Sequence, residues 1–134
     1  MEFHHIGIAV KKLTESSVLF ENILETAFSN TEDVDSQKVQ VTFGGGVELL
    51  QATDIHSPQF PMMKHPILSH LDKHGEGIHH ICFSVENLEA KVNELKKSGI
   101  KPLTNDPIIG AGGKKAIFLH PKDCNGTLIE LMEK

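Results

Sequence analysis

Two His-His pairs and two glutamates are the residues of this 134-residue chain whose types and spacing suit chemistry. His4-His5-Ile6-Gly7-Ile8-Ala9-Val10-Lys11-Lys12-Leu13 aligns with His79-His80-Ile81-Cys82-Phe83-Ser84-Val85-Glu86-Asn87-Leu88, five identities in ten at an offset of 75 residues. A second echo joins Val47-Glu48-Leu49-Leu50-Gln51 to Ile129-Glu130-Leu131-Met132-Glu133. Side chains alternate across a strand, so His5, Gly7 and Ala9 share one face, as do His80, Cys82 and Ser84. The opposite faces, with His4, Ile6, Ile8 and Val10 or His79, Ile81, Phe83 and Val85, read as core. Small neighbours leave space beside His5 and His80, and an approximate two-fold between the repeats brings those imidazoles to Glu48 and Glu130. Two imidazole nitrogens and two carboxylates suit one divalent ion (Co, Ni, Zn, Mn or Fe), with positions left for water or substrate. His4 and His79 then orient their neighbours.

Strands and helices must hold these groups in place. Each His-His stretch reads as a strand followed by a helical pattern. Thr14 or Ser17 can cap the first helix, whose apolar positions include Val18, Leu19, Ile23 and Leu24; Asn87 can cap the second, which carries Leu88, Val92 and Leu95 and stops at Gly99. Residues 39–43 and 115–120 are β-prone and precede the closing strands. The unit is therefore β, α, then two or three antiparallel strands, used twice in a single α+β domain spanning 1–134. Module one covers 1–52, a connector 53–77 and module two 78–134. The connector carries three prolines and a short helical pattern over 67–73 that ends at Gly75. His56, His65, His70 and His74 read as polar surface residues. His120 either caps a turn or lines the cavity; Cys82 reads as a packing residue and Cys124 as a loop thiol.

Composition removes several function classes. The apolar share of 39% and charged share of 23% exclude disordered and low-complexity chains. Neither a long apolar run nor a signal-like start is present, which points to the cytoplasm. With no Trp, Tyr or Arg and a net charge of −5, nucleic acid is not the expected partner. Residues 78–134 hold eight Lys against seven acids, so an anionic ligand leans on the second half. Gly110-Ala111-Gly112-Gly113-Lys114-Lys115 is not a Walker A sequence; it reads as a flexible hairpin, or as a lid touching ligand phosphates.

Taken together, these motifs resemble the vicinal oxygen chelate (glyoxalase/bleomycin resistance/dioxygenase) superfamily, and within it the methylmalonyl-CoA epimerase family. The likeness rests on His4 to Val10, Val47-Glu48-Leu49-Leu50, Gly75-Glu76-Gly77-Ile78-His79-His80-Ile81, Phe118-Leu119-His120-Pro121-Lys122-Asp123 and Leu128-Ile129-Glu130-Leu131. It implies two βαβββ modules in a half-open mixed-sheet barrel around one divalent ion and no organic cofactor. It implies metal ligation by His5, His80 and Glu130, with Glu48 at a position where the family carries Gln or Glu. The implied activity is epimerisation of a small acyl-CoA thioester, most readily methylmalonyl-CoA, by proton abstraction at C2 through an enolate. Glu130 and Glu48 are then the catalytic carboxylates, and Lys114, Lys115 and Lys122 the candidate contacts for the phosphates of the thioester ligand. A separate Glu of the family falls at Val41, which is a departure. A longer connector, with Gln59-Phe60-Pro61-Met62-Met63-Lys64-His65, is another. A glyoxalase I-type lyase and a non-catalytic ligand-binding member are the alternatives, and a homodimer is the prior for assembly.

Overall fold

A computed structural model describes residues 1–53 and 65–134; the expectations placed on His56 and on residues 54–64 lie outside them. The chain runs β1 (Glu2–Ala9), α1 (Leu13–Leu24), β2 (Glu32–Val34), β3 (Val39–Gly44), β4 (Val47–Ala52), α2 (Pro66–His74), β5 (Gly77–Val85), α3 (Leu88–Lys97), β6 (Ile108–Ile109), β7 (Lys115–Leu119) and β8 (Ile129–Glu133). The order β-α-β-β-β thus occurs twice, as the repeat predicts. Among the described residues no helix is long and apolar enough to cross a membrane. Two compact units divide the chain, Ile6–His79 and Met1–His5 with His80–Lys134, so that the divisions fall inside β1 and β5.

Each unit is built on the same pairing. In the first, β2, β3 and β4 are antiparallel neighbours and β4 runs parallel to β1. In the second, β6, β7 and β8 repeat that arrangement and β8 runs parallel to β5. Registers match to the residue: Glu48 stands opposite Gly7 and Phe43, and Glu130 opposite Cys82 and Phe118. The helices cover equivalent cores, Val10, Leu13 and Leu49 in one unit and Val85, Leu88 and Leu131 in the other, joined there by Val92, Ile117 and Leu119. Burying each such side chain contributes about 1.5–3 kcal/mol.

Several details differ from the expectations. On β1 and β5 the small-residue faces are the fully buried ones: His5, Gly7 and Ala9 are enclosed, whereas Ile6 and Ile8 are half-buried and His4 is exposed. Neither Thr14 nor Ser17 caps α1; Ser17 Oγ donates to the Thr14 carbonyl instead. Gln51 Oε1, at the end of β4, accepts from the Leu13 N–H at 2.7 Å. Its counterpart Glu133 Oε2 accepts from the Leu88 N–H at 2.9 Å, beside the expected Asn87 cap on Ala90 N–H. Each closing strand thus supplies an acceptor for an N–H that a helix start cannot satisfy internally. On α1, Val18, Leu19 and Ile23 face outward, more than half exposed, and Leu13 and Phe20 make the inward contacts.

His65 is also not a surface residue. It is fully buried; its Nδ1 accepts from the Ile67 N–H at 3.2 Å and its Nε2 meets the Lys38 carbonyl at 2.8 Å. Pro66 follows at the first helical position, where its missing N–H costs nothing. His120-Pro121 repeats the device, with His120 Nδ1 accepting from Lys122 N–H at 3.2 Å, so His120 caps a turn. Removing the strand-borne caps should loosen their helices: Gln51→Ala and Glu133→Ala are each expected to lower stability by about 1 kcal/mol in urea denaturation, with the secondary structure retained.

Candidate metal centre

The second unit brings three of the four proposed ligands together. Parallel pairing sets Glu130 opposite Cys82, and strand alternation puts His80, two residues earlier on β5, on the same face. His5 arrives on β1, whose first residues are fastened to β5 by Phe3 edge-on to Phe83 (centroids 6.1 Å apart). Lys134 Nζ adds ion pairs to Glu2 at 3.1 Å and to Glu86 at 2.9 Å.

The result is a triangle of donor atoms. His5 Nε2 lies 3.3 Å from His80 Nε2 and 3.5 Å from Glu130 Oε1, and His80 Nε2 lies 3.3 Å from the same oxygen. The three residues are only 3%, 2% and 6% exposed. A point equidistant from the three atoms is about 2 Å from each, which is the length of a Zn–N or Zn–O bond. Burial of two imidazoles and a carboxylate is otherwise expensive, and their nitrogen and oxygen donors suit a borderline divalent ion, so the residues fit the expected group.

Two neighbours hold the imidazoles in this pose. His4 Nδ1 sits 2.7 Å from His5 Nδ1, which engages that side of the ring and leaves Nε2 for the triangle. Phe118 packs edge-on against His80, with centroids 5.5 Å apart at 88°. Sequence reasoning gave Phe118 no role, although the offset of 75 matches it to Phe43, and both stand opposite the ligand-type glutamate of their unit. Burial alone would raise the Glu130 carboxyl from its ordinary 4.5, but hydrogen bonds from His5 and His80, with their charge, bring it down to about 2. Glu130 is therefore an ionised acceptor across the physiological range.

Glu48, Val41 and the three lysines are the other residues singled out in the sequence. Glu48 belongs to the unit Ile6–His79, where it is buried in the position equivalent to Glu130. Val41 is 1% exposed and packed opposite Leu50, an apolar position with no group to carry a proton. Lys114 and Lys115 are exposed at the start of β7, and Lys122 is exposed in the turn beyond its end. At about 3.3 Å per residue, the strand between them is too long for one phosphate to meet both ends.

Comparison with known proteins places the chain in a family. The family model of the glyoxalase/bleomycin resistance protein/dioxygenase superfamily matches residues 4–118. The chain is 38% identical over 133 residues to the mitochondrial methylmalonyl-CoA epimerase of Homo sapiens, covering 96% of this chain and 71% of that one. It is 37% identical over 134 residues to the ethylmalonyl-CoA/methylmalonyl-CoA epimerase of Cereibacter sphaeroides, covering 96% and 94%. The solved structure of a Streptomyces coelicolor methylmalonyl-CoA epimerase variant in complex with 2-nitronate-propionyl-CoA superposes with a TM-score of 0.86 at 28% identity, covering 100% and 97%.

The depressed Glu130 carboxyl has a measurable consequence in chelator-treated protein. A group lowered on folding stabilises the fold above its unfolded value and loses that contribution as pH falls through the folded one. Glu130→Gln should therefore be less stable than wild type at pH 5, and the gap should close as the pH falls toward about 2. Denaturation melts across that range read it directly; a pH-independent gap would contradict the arrangement.

Proposed function

Since the chain belongs to the glyoxalase/bleomycin resistance protein/dioxygenase superfamily, we propose that it is a metal-dependent epimerase of a small acyl-CoA thioester, with methylmalonyl-CoA as the substrate. The observation that carries the reading is the buried convergence of His5, His80 and Glu130 in a chain similar over 96% of its length to named methylmalonyl-CoA epimerases. His5, His80 and Glu130 hold one divalent ion, and Glu48 is the fourth ligand by its equivalence to Glu130. When bound, such an ion supplies Lewis acidity toward the negative charge of an enolised thioester.

Epimerisation removes the C2 proton from one face and returns one to the other. Glu130, ionised and positioned by two imidazoles, accepts or donates that proton on one side. Glu48 is the candidate for the opposite side, because Val41 offers no titratable atom there. His4 keeps the His5 ring turned so that Nε2 serves as the ligand atom. Lys114 and Lys115 on one side of β7 and Lys122 on the other reach different phosphates of the thioester's nucleotide arm. Val41 also supports a second reading on the same site, a glyoxalase I-type lyase, whose proton transfer needs a different placement of bases.

Protein reconstituted with cobalt, nickel, manganese or zinc should exchange the C2 hydrogen of methylmalonyl-CoA with solvent deuterium. Glu130→Gln should slow that exchange by about 100-fold or more. Metal near one equivalent at this site without exchange would retain the centre and refute the substrate. His5→Ala should empty the centre, and full metal content at the centre in that variant would refute the ligand set.

A further inference from the structure

His70, His74 and His79 form a second cluster of imidazoles, and all three belong to the unit Ile6–His79. His70 and His74 lie one turn apart on α2, and a spacing of four residues stacks side chains on one helix face. Their ring centroids are 5.1 Å apart. His79 follows on β5, just past the turn at Gly75, and its centroid is 5.2 Å from that of His70. Both separations match the 5.4 Å between His5 and His80, whose nitrogens stand 3.3 Å apart.

We propose that His70, His74 and His79 bind a transition-metal ion at a site separate from the one formed by His5, His80 and Glu130. Two histidines at i and i+4 on a helix, with a third past a glycine-ended turn, is an arrangement that grips zinc in several metalloenzymes. Those sites place a glutamate beside the first histidine as general base, and here Leu71 stands there, so this site binds without hydrolysing. Asp72 lies between the two histidines on α2, two residues from each and so on a different helix face; Glu76, past Gly75, accepts from the Lys11 N–H at 2.8 Å, which leaves an imidazole donor set. Such a set selects zinc, nickel, cobalt or copper(II) over magnesium or calcium.

Charge and rotamer freedom favour the site as well. It occupies the last turn of α2, where the helix dipole is negative and attracts a cation. Burial, then the nearby His74, lower the affinity of His70 for a proton, which favours the neutral, ligating form. The nitrogens of the three rings do not all lie within 4.8 Å of one another. His70 and His79 are half-buried and His74 is exposed, so binding requires the rings to turn about χ1 and χ2 toward a shared ion. The ion then ties the end of α2 to the start of β5.

Zinc titrations followed by calorimetry, with metal content measured after gel filtration, test the proposal independently of epimerase activity. The double variant His70→Ala/His74→Ala should hold one equivalent fewer than wild type, whatever the count at the other centre. His79→Gln should weaken that equivalent. In His5→Ala protein the second equivalent should persist, and cobalt(II) should broaden the His70 and His74 ring resonances. Unchanged stoichiometry in the double variant, or broadening that spares both rings, would overturn the site.

Discussion

A one-residue slip in the parallel pairing of β5 with β8 would turn Glu130 to the far side of the sheet from His80. The centre depends on that register more than on any single contact. Opposing Glu130 to Cys82 puts the carboxylate two residues along from His80, on a face where Cys82 and Ser84 leave room. The same register in the other unit opposes Glu48 to Gly7. Large side chains at Gly7 or Cys82 would fill the space that the pairing keeps open.

What the sequence reveals is what repeats. Offsets of 75 between the His-His strands and 82 between the closing strands expose the paired strands, their helices and the ligand-type residues, because a duplicated register must preserve alternation on every strand. Asn87, the stop at Gly99 and the helix over 67–73 are local signals carried by capping and turn chemistry, and the structure contains them. The burial of His65 is different: an imidazole before proline looks like a loop residue until Lys38, far away in sequence, presents its carbonyl. Gln51 and Glu133 act across 38 and 45 residues, beyond the reach of any local pattern. On α1, apolar periodicity picked out Val18, Leu19 and Ile23, whereas packing selected Leu13 and Phe20. Counting apolar positions on a helix finds a stripe and leaves open which stripe meets the sheet.

The centre also shows how a chain without arginine handles buried charge. Glu130 has no guanidinium to pair with, and its ionised state rests on hydrogen bonds from two imidazoles. The donors that stabilise the carboxylate are the same ones that the proposed ion would share.

The strand-borne caps tie folding order to chain length. α3 begins at Leu88, yet the acceptor for its first N–H waits on Glu133, and α1 waits likewise on Gln51. His5 must also meet a partner 75 residues later. Such non-local closures raise contact order and slow the search. Each helix is left frayed at its start until its own closing strand docks, which couples the two events into one cooperative step. On a ribosome the first unit can complete that step early, while the ligand triangle forms only after Glu130 has emerged.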